Sequence, residues 1–146
     1  MKKILFFAVA FLMFFVSSVY AGNDKVINKN ELPAPAQKFL NEHFSNIKIS
    51  YAKQEKDFLS SSYEVMLADG TKIEFSSKGN WDEVDCRYGE VPQAIIPAPI
   101  AKYIKENYPG EKVLKIERDR SNYEVNLSNR LELKFNSEFN IIDIDR

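Results

Sequence analysis

A chain of 146 residues with 20 basic and 21 acidic side chains, 45% of it hydrophobic and 13% aromatic, has the length and apolar content of one compact domain. Its net charge of −1 argues against nucleic acid as a partner, because phosphate contacts demand a basic surface. The single cysteine, Cys86, excludes an internal disulfide, so the fold must stand on its hydrophobic core.

The chain opens with Met1-Lys2-Lys3, an apolar Phe-rich run from Ile4 to Val16, and Ser17-Ser18-Val19-Tyr20-Ala21 before Gly22. A basic start, a short apolar middle and small residues at Val19 and Ala21 mark a signal peptide cleaved near Ala21. The apolar run is short for a membrane span, which needs ~20 residues. Export is therefore expected, to the periplasm or beyond, with no membrane span in the mature chain. Loss of Lys2 and Lys3 leaves 18 of the 20 basic residues against 21 acidic ones, a mature charge of about −3.

Residues 22–31 are polar and aperiodic and read as a flexible leader. Then "LPAPAQKFL" at Leu32 to Leu40 begins a segment in which Ala36, Phe39, Leu40, His43 and Phe44 fall on one face of a helix. The prolines sit in the first turn, where a missing N–H costs nothing. A strand is predicted over Ile47 to Gln54. Next Tyr63, Val65 and Leu67 alternate with polar neighbours, Asp69-Gly70 supplies a tight turn, and Ile73 and Phe75 continue the alternation. Trp81 to Cys86 closes the set after Gly79-Asn80.

Beyond the linker at residues 87–95 the same series recurs. "IPAPIAKYI" at Ile96 to Ile104 matches the first helix start, Lys112 to Asp119 the first strand, and Tyr123-Glu124-Val125 matches Tyr63-Glu64-Val65. The hairpin turns at Asn129-Arg130, and Ile141 to Arg146 closes the second set. Polar positions correspond as well as apolar ones: Lys38 with Lys102, Glu42 with Glu106, Asp85 with Asp145. This indicates an internal duplication of residues 32–86 and 96–146. The predicted fold is α+β: two tandem helix-plus-four-strand repeats forming one antiparallel sheet of about eight strands, with both helices on one face. Residues 32–146 form a single domain. Arg130 and Phe139 stand where the first copy has Gly70 and Gly79, so those turns are expected to adopt conformations open to non-glycine residues.

The residues offer little chemistry for catalysis, which needs a nucleophile with its base, a tuned carboxylate pair or a metal cluster. His43, the only histidine, lies on the apolar stripe of the first helix and reads as a half-buried packing residue. Ser60, Ser61 and Ser62 lie in a stretch the second copy lacks, with no nucleophile elbow around them, and read as loop. Asp82, Glu83 and Asp85 crowd one closing strand, and Asp143 and Asp145 its twin, but strand alternation sends neighbours to opposite faces instead of wrapping them round an ion. No catalytic residue, metal ligand or cofactor motif is assigned, and Cys86 reads as a half-buried strand residue.

The segments "YEVMLADGTKIEFSSKGNWDEVDC" at Tyr63 to Cys86 and "VPQAIIPAPIAKYIKENYPG" at Val91 to Gly110 resemble the PepSY-like, beta-lactamase-inhibitor-like exported proteins of Gram-negative gut bacteria. The resemblance implies a fold similar to that of beta-lactamase inhibitory protein, whose open concave sheet grips its target. The family carries no established activity, and a shared fold does not license a function. Alternation leaves Glu64, Met66, Lys72, Glu74, Glu124, Asn126, Glu132 and Lys134 on the face opposite the helices. That face either meets water alone or binds a protein or peptide. On the binding reading the contact residues are Glu64, Lys72, Glu74, Glu124 and Lys134, with Trp81 and Tyr88 as aromatic anchors. Trp81 matches Ile141 and has core packing as its alternative. The expected function is a non-enzymatic periplasmic binding module for a protein or peptide partner. The alternatives are an inhibitor or regulator of an exported hydrolase, and a small-ligand or cation sensor using the acidic strands.

Overall fold

Among the described residues, nine antiparallel strands follow one another across one sheet in chain order, and two helices pack against one side of it. The computed structural model describes residues 23–146; the signal-peptide reading falls outside the described residues. The strands are β1 (Lys25–Ile27), β2 (Ile49–Lys56), β3 (Ser61–Leu67), β4 (Lys72–Phe75), β5 (Trp81–Asp85), β6 (Val113–Arg118), β7 (Asn122–Leu127), β8 (Glu132–Asn136) and β9 (Ile141–Asp145). Helix α1 (Ala34–His43) precedes β2, and α2 (Ala98–Asn107) precedes β6. Eight strands and both helices stand where the sequence predicts them.

The ninth strand is β1, inside the stretch read as a flexible leader. Ile27 lies opposite Ala52 and is buried, and a capping box between Asn28 and Glu31 turns the chain towards α1. Three residues are too few to display a period, so this strand left no pattern to read.

Both helices begin alike. Pro33 and Pro97 occupy the N-cap, with a second proline in the first turn, where its fixed φ suits the helix and its missing N–H is not needed. Each helix lays an apolar stripe on its own half of the sheet: Ala36 and Leu40 from α1, Ile100 and Ile104 from α2, all in one core with Val65, Ile73, Phe75, Val125, Leu133 and Phe135. The aromatic contacts correspond too, Phe39 standing edge-on to Phe75 at 5.7 Å and Tyr103 to Phe135 at 5.4 Å.

The hairpin turns differ from expectation. Arg130 and Phe139 do not relax into a non-glycine conformation: their φ values of 72° and 63° are left-handed, close to the 87° and 84° of Gly70 and Gly79. The reason is the ladder. Leu127 and Leu131 pair across the turn at 2.8 Å, as do Leu67 and Thr71, and that register admits one backbone path. Phe139 offsets part of the strain by packing its ring 5.4 Å from Tyr123.

The extra residues of the first half also behave otherwise than expected. Ser61 and Ser62 are not loop but the start of β3, paired with Lys56 and Glu55. The insertion lengthens a hairpin and carries Phe58 and Leu59 to its tip, with Phe58 fully exposed at 100%.

Candidate functional site

Among the described residues no element covers the face opposite the helices, and the strand registers give that face an order. Lys53 lies opposite Glu64, Glu64 opposite Glu74, and Glu74 opposite Glu83. The row continues from Glu83 to Glu117, from Glu117 to Glu124, and from Glu124 to Lys134. Five glutamates from five successive strands thus stand side by side, with a lysine at each end. Like charges directly opposite one another destabilise a sheet. The row survives because Lys72 and Lys115, one row along, reach diagonally into it.

Lys72 Nζ contacts Glu74 at 2.8 Å and Glu83 at 2.9 Å. Lys115 Nζ contacts Glu83 at 2.9 Å and Glu117 at 3.2 Å. Glu83, at the middle of the row and only 8% exposed, is held between two ammonium groups. Burial alone would raise its pKa, but the two lysines together outweigh that and hold the carboxyl below its ordinary value. The lysines respond in kind: burial works against their charge, yet contact with the glutamates raises both. At the ends of the row Lys53 reaches Glu64 at 3.6 Å, and Lys134 bonds Glu124.

Of the residues the sequence offers as partner contacts, Glu64, Lys72, Glu74, Glu124 and Lys134 therefore share this face. Two anchors do not. Trp81 points to the helix side, its ring centroid 6.3 Å from that of Phe39, because a bulge opposite Phe75 inserts Asp82 and shifts the alternation by one. Arg118 closes over it, with the guanidinium carbon 4.0 Å from the ring centroid and Nε donating to the Trp81 carbonyl at 2.8 Å. Trp81 is a packing residue in this position. Tyr88 is exposed but lies against the β3–β4 turn, where a β-carbon on Gly70 would come within 2.9 Å of its ring.

Sequence reasoning singled out Glu83 only as part of an acidic closing strand and not as a member of this row, and it missed Glu117 and Lys115. It also missed the exposed apolar tip at Phe58 and Leu59, for which the only signal was two apolar residues in an otherwise polar insertion. Cys86 is buried rather than half-buried, and burial raises its thiol pKa, so it is poorly disposed to react. His43 is half-buried beside Phe39, ring centroids 4.7 Å apart. Among the described residues no group of three or more His, Cys, Asp or Glu side chains is gathered as a metal ion would require. None of the described helices is long and apolar enough to cross a membrane.

A family model described as "putative beta-lactamase-inhibitor-like, PepSY-like" matches residues 61–143, from β3 into β9. The chain belongs to this PepSY-like family. A protein of similar structure is a "putative calcium-regulated periplasmic protein" from Bacteroides thetaiotaomicron, 58% identical, with a TM-score of 0.83 over 84% of this chain and 97% of that one. A periplasmic protein from Bacteroides vulgatus is 50% identical, with a TM-score of 0.84 over 86% and 99% of the two chains. A second from the same species is 44% identical, with a TM-score of 0.80 over 84% and 99%. Like these relatives, this PepSY-like chain is a periplasmic protein. No curated protein matches it.

Proposed function

We propose that this PepSY-like protein is a non-enzymatic periplasmic binding module that holds a basic protein surface or peptide against its open sheet face. The observation that supports this most is the row of five facing glutamates, Glu64, Glu74, Glu83, Glu117 and Glu124. A fold needing only a solvated outer face would alternate charges along such a row, since opposite charges contribute ~0.2–1 kcal/mol per cross-strand pair and like charges oppose pairing. Aligned carboxylates give up part of that stability and leave an acidic strip with complementarity for cations. Glu74 and Glu117 keep side-chain exposures of 42% and 48% and remain accessible to a second cationic partner. The apolar tip at Phe58 and Leu59 provides a hydrophobic anchor in place of Trp81. An inhibitor or regulator of an exported hydrolase is the same surface with a particular target.

The test is a titration of fluorescent oligolysine followed by anisotropy. The native protein should bind it with an affinity that falls steeply with salt, because screening shortens the reach of exposed charges. Glu74→Lys combined with Glu117→Lys should reduce the affinity at least about tenfold in protein that circular dichroism shows to be folded. Equal binding by both proteins would dismiss the acidic row as the contact surface.

A second reading, a cation sensor, is favoured by the description of the Bacteroides thetaiotaomicron relative as calcium-regulated. On that reading millimolar calcium raises the melting temperature, because a ligand binding only the native state stabilises it. An unchanged melting temperature at millimolar calcium would remove this reading.

A further inference from the structure

We propose that the outer edge of β9 is a strand-addition site for an extended segment of a partner protein that alternates basic and apolar residues. The inference deepens the protein-binding reading above but uses a different part of the molecule.

The argument begins with two strands in matching registers. In β5, Val84 lies opposite Ile73 and Asp85 opposite Lys72; in β9, Ile144 lies opposite Leu133 and Asp145 opposite Glu132. The outer side of β5 is covered by β6, which places Ile116 against Val84 and Lys115 against Asp85, while the Cys86 N–H donates to the Leu114 carbonyl at 2.7 Å. Val84 is consequently sealed, at 0% exposure. β9 ends the sheet, and among the described residues no strand covers its outer side. Ile144 is 46% exposed and Ile142 52%. The Ile144 N–H donates to Oδ1 of Asp143 at 3.0 Å, in place of a carbonyl on a neighbouring strand.

The chemistry of the occupant follows from these groups and from the covering strand that β5 already has. An apolar side chain must face Ile144 on the helix side, as Ile116 faces Val84. A cationic side chain must face Asp145 on the open side, as Lys115 faces Asp85, and a second one faces Asp143 by charge complementarity, where β6 sets Glu117 opposite Glu83. An incoming carbonyl would take the Ile144 N–H and release the Asp143 carboxylate to an incoming lysine. A second copy of β9 fits poorly, since antiparallel pairing centred on Ile144 would set Asp143 opposite Asp145. Charges on an edge strand normally discourage pairing. Here both carry one sign, so they discourage self-association while favouring a basic strand, with backbone bonds giving affinity and side chains specificity.

The test uses 15N-labelled protein and a blocked peptide, acetyl-Lys-Val-Lys-Ile-Lys-Val-Lys-amide, beside its counterpart with glutamate for every lysine. The lysine peptide should shift the amides of Ile142, Ile144 and Arg146 and slow their exchange with solvent. It should bind roughly tenfold more tightly than the glutamate peptide, and Asp143→Lys with Asp145→Lys should invert that order. Glu74→Lys with Glu117→Lys should leave these β9 shifts in place, which separates the edge from the open face. Shifts confined to Glu74, Glu83 and Glu117 with β9 silent would overturn the edge proposal while leaving the broader reading intact. An absence of any shift would overturn it as well. So would β9 protection that appears without peptide and grows with protein concentration, since the occupant would then be a second copy.

Discussion

The two faces of the sheet use the same strands and are held by opposite means. The covered face is apolar, and its order follows from burial: Phe75 under Phe39 in one half, Phe135 under Tyr103 in the other. The open face is ionic and depends on register, because Lys72 and Lys115 stabilise the glutamate row only while β4, β5 and β6 keep their alignment. A core is an area property and tolerates some local error. A charge ladder is a geometric property, in which one displaced residue turns a contact into a repulsion.

That contrast can be tested from the largest effect downwards. Phe75→Ala and Phe135→Ala should each lower the unfolding free energy by about 3–5 kcal/mol, since both side chains are fully buried and leave cavities. Urea denaturation of the two variants should give similar losses. A loss in one half less than half that in the other would mean that the two helices do not cover the sheet equivalently.

Glu83→Gln should cost about 2 kcal/mol at neutral pH, because it leaves two lysines facing each other without their shared carboxylate. Its pH signature follows from the direction of the shifts. The Glu83 carboxyl titrates lower in the folded protein than its ordinary 4.5, so its contribution is present above that value and is lost as the pH falls through the folded pKa. Lys72 and Lys115 titrate higher than their ordinary 10.5, so their contribution is complete below that value and fades as the pH rises through the raised ones. Stability from the cluster should therefore be level between about pH 5 and pH 10. The difference between native protein and Glu83→Gln should shrink in acid, and a difference unchanged at pH 3 would contradict this account of the row.

Smaller effects sharpen the picture. Arg118→Ala should cost about 1 kcal/mol, through the lost cation–π contact and the bond to the Trp81 carbonyl, and should red-shift Trp81 fluorescence by exposing its ring to water. Arg130→Gly should instead stabilise the protein by up to about 1 kcal/mol, because the side chain sits at a φ of 72° that glycine adopts without strain. A loss of stability at this position would show that Arg130 has a compensating contact.

Much of the covered face was legible in the sequence, for a physical reason. Burial imposes a period of two on strands and a helical stripe on α1 and α2, and tight turns at Asp69-Gly70 and Asn129-Arg130 fix the hairpins between them. The open face was legible only within those hairpins, where Glu64 lies beside Glu74 and Glu124 beside Lys134. The junction of β5 with β6 is bridged by the linker and α2 instead of a turn, so nothing local told that Glu83 would meet Glu117. For Trp81 the sequence left two readings, an interface anchor or a core residue matching Ile141, because simple alternation would group it with Glu83 and Asp85. The extra residue at the bulge, Asp82, sends Trp81 to the other side.

The claim that the acidic row is the working surface is tested most directly by passing the organism's periplasmic extract over the native protein and over Glu74→Lys with Glu117→Lys, and identifying retained proteins by mass spectrometry. The account predicts a basic partner retained by the native protein, eluted by salt and absent from the charge-reversed one. The same proteins retained equally by both, or an acidic partner held through high salt, would contradict it.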